Sequence, residues 1–367
     1  MGMAAAKTNL AIVCLGIFAL MALSNAIVPV LPAFAGQSAW QGAIYAAYFF
    51  GAFVSTLPGG ILADRHGTTP VIRAGLLISV VTGALLFFVA SPVAVIILRG
   101  CEGIGAGLFV AAALSYINSR DDHTRMSGYY MAMLNLGLVL GLVIAGWLAV
   151  RFTEPALGIG LFSLFAFAAL AGSAVTGNGR VSPEKRLDAA ILSAFIRDNL
   201  WLWYSAVVLV GITGVVSSLY PKFSGKAPDT LGLWIAGMSI ATIVTVLVAS
   251  RIPLPPVPVI RWSAIFMAGS VLLAYWSPLG FIALGALAGV VMISQMAYLA
   301  GVTGPQGLLM GLFSTASYLG MAILPFVAGI IADTGGFFAA FGVTAILGVT
   351  VAVTCGRSGH QPPGTAE

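Results

Sequence analysis

Residues 128–150, GYYMAMLNLGLVLGLVIAGWLAV, align without a gap on residues 311–333, GLFSTASYLGMAILPFVAGIIAD. Gly128/Gly311, Gly137/Gly320, Ala145/Ala328, Gly146/Gly329 and Ala149/Ala332 are identical, 183 residues apart in a chain of 367. Two more pairings sit close to that offset. LSNAIVPVLPAFAGQ (23–37) matches ITGVVSSLYPKFSGK (212–226) through Pro32/Pro221, Phe34/Phe223 and Gly36/Gly225. Gly103, Gly107 and Tyr116 match Gly285, Gly289 and Tyr298. Any fold for this chain is therefore made of two copies of one half-length unit.

The surroundings of that unit follow from composition. Sixty per cent of the residues are hydrophobic and only 7% are charged, against roughly 25% charged in a soluble globular protein. A membrane-spanning helix needs about 20 apolar residues. Twelve such spans can be read, near 9–32, 40–62, 70–90, 93–117, 127–150, 155–176, 200–220, 230–250, 259–276, 279–300, 307–332 and 336–355. The expected fold class is all-α, with twelve transmembrane helices in two pseudo-symmetric six-helix bundles. The bundles are expected at 1–176 and 200–356, with a cytoplasmic linker at 177–199 and a disordered tail at 357–367. Duplicated membrane bundles hold their ligands between the halves.

The net charge of +5 carries topology rather than a nucleic-acid surface. With the N-terminus inside, Lys/Arg such as Lys7, Arg65, Arg73, Arg120, Arg125, Arg251 and Arg261 fall on the cytoplasmic side. Arg151, Lys222 and Lys226 fall outside, and Arg99 lies within a span. The positive-inside rule puts both termini in the cytoplasm. The first span resembles a cleavable signal peptide, but its match to 212–226 marks it as a retained helix. Cys14, Cys101 and Cys355 are isolated and show no metal or redox spacing, so they read as small buried hydrophobes.

The linker GNGRVSPEKRLDAAILSAFIRDN begins with turn residues, and its LDAAILSAFIR stretch has the spacing of an interfacial amphipathic helix. The loop RIPLPPVPVIR (251–261) reads as proline-stiffened. Gly103 and Gly107 in the fourth span, and Gly137, Gly141 and Gly146 in the fifth, are spaced for close helix packing in lipid. Pro29, Pro32 and Pro221 are expected to bend the outer ends of the first and seventh helices.

Between the second and third spans stands Gly60-Ile-Leu-Ala-Asp64-Arg65-His-Gly67-Thr-Thr-Pro, followed by Arg73. It resembles the G-x-x-x-D-R-x-G-R-[KR] loop of the major facilitator superfamily, with Thr68 and Thr69 where that family carries basic residues. The resemblance implies a cytoplasmic gate in which Asp64 is the acceptor and Arg65 and Arg73 are candidate partners. A carboxylate there can meet a helix N-terminus or a nearby arginine. In the fourth span, Arg99-Gly-Cys-Glu102-Gly103-Ile-Gly-Ala-Gly107 resembles the family's R-x-x-x-G-x-G-x-G stretch. Arg99 and Glu102 are three residues apart, on one helix face. They read either as an ion pair that lowers the cost of insertion, or as a proton site in which Glu102 is the carrier and Arg99 sets its proton affinity.

The fifth span resembles the family's G-x-x-x-G-P-x-x-G-G antiporter stretch, with Leu142 at the proline position. Its repeat partner keeps the proline, as Gly320, Pro325 and Gly329. The same resemblance implies a central cavity among helices 1, 4, 7 and 10, flanked by helices 2, 5, 8 and 11. Polar residues at mid-depth on these helices, Asn25, Tyr45, Asn135, Gln295 and Ser317, become substrate candidates beside Arg99. Each has the alternative of bonding a neighbouring helix.

His66, His123 and His360 lie in loops or the tail, and no H-E-x-x-H or phosphate loop is present. Neither an enzyme nor an ATP-driven pump is expected, and no cofactor or metal. The resemblance implies a monomeric secondary transporter of a small molecule in the cytoplasmic membrane, driven by protons and working by alternating access. A drug/proton antiporter-like exporter of amphipathic compounds is the leading expectation. An importer of an organic anion or sugar is the alternative, and a non-transporting sensor or scaffold is the alternative from another class.

Overall fold

The structure, a computed structural model, describes residues 2–89, 91–120, 122–174, 196–301 and 306–356. All its regular elements among these residues are helical. They are α1 (Gly2–Ala26), α2 (Ser38–His66), α3 (Thr68–Leu86), α4 (Pro92–Asn118), α5 (His123–Phe152), α6 (Leu157–Ser173), α7 (Leu200–Ser224), α8 (Pro228–Ala249), α9 (Pro256–Trp276) and α10 (Leu279–Ala300). The helical stretch Gln306–Thr354 is broken at Gly336, whose φ of 82° only glycine adopts readily, giving α11 (306–335) and α12 (337–354). Helices equivalent to all twelve spans are thus in place, α6 being the short one at 17 residues. Much of the exterior is apolar, with Phe88, Leu164, Trp262 and Trp276 all exposed, as lipid-facing helices require. The tether at 177–195 and the tail 357–367 lie outside the described residues.

The three prolines sit differently in their helices. After α1 the chain enters a one-turn 3-10 segment (Val28–Val30) and a short helix (Leu31–Phe34). Pro221 instead stays inside α7. Pro29 and Pro32 together remove two N–H groups within one turn, whereas Pro221 removes one near a helix end.

By its internal contacts the chain divides into two compact units. The first comprises 1–36, 43–184 and 221–236, and the second comprises 37–42, 185–220 and 237–367. Each unit thus includes the head of a helix whose remainder belongs elsewhere: the first turn of α2 clusters with the second unit, and the head of α8 with the first. The first unit is cored by Ile17, Leu20, Leu76, Phe109 and Tyr130. A smaller cluster in the second gathers Val215, Leu219, Ala328, Ala332 and Ala340.

Repeat-related glycines set the helix crossings inside each unit. A methyl group on Gly103 of α4 would run into the Tyr48 carbonyl of α2, and one on Gly107 into Ser55 Oγ. Gly285 and Gly289 of α10 bear the same relation to Met238 and Thr245 of α8. Gly137 and Gly141 of α5 lie on the Phe18 and Ala22 carbonyls of α1, as Gly320 of α11 lies on Val207 of α7. Gly146 rests on Pro228 in the first unit, and Gly329 on Ser38 in the second. Gly232 meets the Leu142 carbonyl and Gly42 the Pro325 carbonyl, so the leucine and proline of the two repeat stretches serve one packing position.

Two arginines placed on the cytoplasmic side by charge alone share a further role. Arg73 of α3 donates from Nε and Nη2 to the Ser173 carbonyl, at 3.1 and 2.6 Å, capping the C-terminus of α6. Arg261 of α9 does the same for the segment after α12, with Nη2 2.7 Å from the Cys355 carbonyl.

Replacing Gly103 or Gly285 by alanine forces backbone apart and is expected to cost about 1–3 kcal/mol each. Gly60, with open space around its Cβ position, serves as the control. Thermal unfolding in detergent, followed by tryptophan fluorescence, should show lower midpoints for the first two variants and no loss for Gly60→Ala.

Candidate functional site

Pro92 opens α4 at its first turn, where a missing N–H costs nothing. Arg99 follows about 10 Å along the axis, at 1.5 Å per residue. The glycines that bring α2 against α4 also bring Tyr48 to Arg99: the guanidinium carbon lies 4.6 Å from the ring centroid. Arg99 Nη1 donates to Glu102 Oε2 at 2.8 Å, and Nη2 to the Ser24 carbonyl at 3.0 Å. Ser24 belongs to the last turn of α1, where carbonyls lack partners within the helix. Arg99 and Glu102 are each only 1% exposed. Arg99 Nε and Glu102 Oε1 have no hydrogen-bond partner among the described residues. One turn of α4 therefore carries a neutral buried pair with an acceptor oxygen to spare.

Among the described residues, the matching turn of the second unit has no such charge. In the register that pairs Gly103 with Gly285, Arg99 corresponds to Phe281 and Glu102 to Leu284, both fully buried. The polar cluster of that unit lies farther along α10. Gln295 is fully buried and donates from Nε2 to Ser205 Oγ of α7 at 2.9 Å. Its Oε1 has no partner among the described residues. Tyr298 donates to Asn199 Oδ1 at 3.1 Å and packs edge-on against Trp201.

The remaining cavity candidates have contacts within or between helices. Asn25 Nδ2 donates to the Leu138 carbonyl of α5 at 3.0 Å, a helix-to-helix bond. Asn135 and Ser317 bond back to the carbonyls of Met131 and Phe313 in their own helices. Tyr45 is 4% exposed, its ring 5.1 Å from that of Phe49. The motifs do not mark Tyr48 and Ser24, which hold Arg99. A tyrosine three residues after Tyr45, on the same helix face, was the available signal.

At the gate loop, Gly67 has φ 91° and ψ 156°, a conformation that lets α2 stop at His66 and α3 start at Thr68. Asp64 is half-buried, with Ser115 Oγ of α4 at 3.5 Å, a long contact. Arg65 is exposed, and Arg73 holds the end of α6 as described. Thr68 and Thr69 are 3% and 5% exposed.

Residues 13–253 match the family model of the Major Facilitator Superfamily. The chain belongs to that family. It is 29% identical over 264 residues to the multi-drug resistance efflux pump PmrA of Streptococcus pneumoniae, covering 65% of each chain. It is 31% identical over 156 residues to the Probable anion transporter 6, chloroplastic, of Arabidopsis thaliana, covering 40% of this chain and 30% of that one. The chain spans less than two thirds of the length of either relative. The nucleoside transporter NupG superposes with a TM-score of 0.76 at 13% identity, over 94% of this chain and 98% of that one, a likeness of fold alone. The protein is a multi-pass membrane protein of a transporter family.

Removing one member of a buried pair leaves the other charge uncompensated. Glu102→Ala is expected to cost about 3–5 kcal/mol, and Arg99→Met/Glu102→Leu to recover most of it. A double-mutant cycle of unfolding midpoints in detergent checks this; additive losses would remove the pair from the account of stability.

Proposed function

We propose that this chain is a proton-coupled exporter of amphipathic small molecules, working by alternating access in the cytoplasmic membrane with both termini inside. Glu102 carries the proton and Arg99 is its partner. The observation behind this reading is the commitment of Arg99. Its guanidinium already has a carboxylate, a helix-end carbonyl and an aromatic face. A substrate needs no formal charge to meet such a site, and the equivalent turn of α10 presents only Phe281 and Leu284. The efflux pump that resembles this chain over 264 residues supports the same direction.

The coupling follows from electrostatics. With Glu102 ionised, the pair is neutral as a whole. A proton on the carboxylate leaves the Arg99 charge facing only the Ser24 carbonyl and the Tyr48 ring, so the two protonation states prefer different surroundings. A proton can drive a conformational change only through such a difference. A second reading, import of an organic anion, draws on the relative named as an anion transporter. Protonation of Glu102 would free Arg99 Nη1 for a substrate carboxylate. Competition by organic anions against lipophilic cations in the flux assay separates the two.

In reconstituted vesicles, Glu102→Gln is expected to abolish accumulation driven by a pH gradient, while exchange of labelled for unlabelled substrate survives. Arg99→Lys should damage both, because lysine lacks the planar fork that holds three partners. Uphill accumulation by the glutamine variant under a pH gradient alone would remove Glu102 as the carrier. Asp64→Asn should slow transport at least tenfold with little change in substrate affinity, since Asp64 lies at the end of α2 rather than on the mid-span turn of Arg99. Equal rates in the two proteins would overturn the gate.

A further inference from the structure

In the first unit the N-terminal parts of α1 and α3 and the C-terminal ends of α4 and α6 meet around a cavity of about 10 Å³. That is room for one water molecule, which needs roughly 10–15 Å³ and two to four polar partners. Asn9, Thr69, Tyr116 and Ser173 bring polar groups to its wall, beside Ile12. Tyr116 Oη accepts from Arg120 Nη2 at 3.0 Å, and a phenol that accepts still has its own proton to give. Asn9 brings an amide, which both donates and accepts.

The repeat builds the matching junction differently. In the register that pairs Pro32 with Pro221, Ile12 corresponds to Trp201 and Leu10 to Asn199, while Tyr116 corresponds to Tyr298. Trp201 packs edge-on against Tyr298, with ring centroids 4.8 Å apart, and Tyr298 donates directly to Asn199 Oδ1 at 3.1 Å. Pairing Arg73 with Arg261 matches Thr69 with Val257, and the carbonyls that those arginines hold match Ser173 with Cys355. Three differences therefore coincide. Where the second unit has a tryptophan ring, a valine and a cysteine, the first has the smaller isoleucine and two hydroxyls. Its asparagine stands one position earlier, on the cavity wall with the tyrosine. Space with polar walls has taken the place of apolar filling, and that combination is what a buried water requires.

We propose that this cavity is a binding site for one ordered water, which accepts the Tyr116 proton and donates to Asn9 Oδ1. The first unit then makes through water the tyrosine–asparagine link that the second makes directly. The hydroxyls of Thr69 and Ser173 are the remaining partners. A bridging water is nearly as favourable as a direct hydrogen bond, so the two junctions can serve one purpose with different parts. That purpose is to tie the end of α4 to α1. Arg120 stacks on the same ring, its guanidinium carbon 4.7 Å from the centroid, so the water also fixes the ring on which that arginine rests.

The two tyrosines supply the test. A short X-ray pulse makes hydroxyl radicals from water in place, and these oxidise a tyrosine that a bound water touches even where bulk solvent is excluded. Tyr116 and Tyr298 are 3% and 5% exposed, so radicals from bulk solvent reach them about equally. In the purified protein in detergent, Tyr116 is expected to be oxidised roughly threefold to tenfold faster than Tyr298, because its radical source lies within hydrogen-bond reach. Ile12→Trp, which copies the ring of the second unit, should bring the Tyr116 rate down to that of Tyr298. Thr69→Val/Ser173→Ala should do the same by removing polar partners without adding bulk, and it stands in where the tryptophan variant does not fold. Cooperative thermal unfolding identifies the folded variants. Equal rates in the unmodified protein overturn the site. Fast oxidation of Tyr116 that persists in either folded variant overturns it too, because bulk solvent would then be the source. The footprint needs no transported molecule, so its outcome is decided apart from the Glu102 flux assay, on which the transport reading stands.

Discussion

Helices in lipid gain nothing from hiding apolar side chains from one another, because the lipid is equally apolar. What holds this chain together is therefore backbone laid directly on backbone. Gly103, Gly137, Gly285 and Gly320 each lie where even a methyl group would strike a carbonyl of the facing helix. The other features depend on those approaches. Tyr48 reaches Arg99 because α2 lies against α4 at Gly103, and α1 and α5 are close enough for Asn25 to bond the Leu138 carbonyl.

Three arginines then perform one task at different places. Arg73 holds the carbonyls at the end of α6, Arg261 those after α12, and Arg99 one in the last turn of α1. Each brings positive charge to the negative end of a helix, where orphan acceptors collect. Arg99 differs in being buried and in having a carboxylate one turn away. That addition gives the cap a second, charged partner on its own helix.

The sequence was legible wherever pattern length exceeded local detail. Twelve apolar runs and a repeat found the helices to within a few residues, since both signals accumulate over twenty positions or more. The glycine spacings pointed to close packing, but only coordinates name the partner of Gly146 or Gly329. The Arg99–Glu102 pair could be read because both ends lie in one helix turn. Tyr48, Ser24 and the Ser173 carbonyl could not, because long-range partners leave no mark on local spacing. Asn25 and Asn135 show the same limit: the sequence gives a polar side chain in an apolar run but not its bonding partner, which is a neighbouring helix for Asn25 and its own helix for Asn135. Likewise Pro29, Pro32 and Pro221 looked equivalent, and their different effects came from how many N–H groups were lost together.

The exchanged helix heads bear on how such a chain could arise. Gly146 on the head of α8 and Gly329 on the head of α2 are one contact made twice, with the roles of the halves reversed. That is the pattern of an isologous interface, in which each of two identical partners offers the same pair of patches. A half-length ancestor could have made both contacts by pairing with a copy of itself. In such a homodimer every substitution appears twice, so a carboxylate on one side brings a second on the other. Fusion into a single chain lifts that restriction. Only then can one copy keep arginine and glutamate while the other holds phenylalanine and leucine at the matching turn, or one copy carry isoleucine where its twin has tryptophan. Lopsided chemistry on a symmetric scaffold is what joining two genes makes possible.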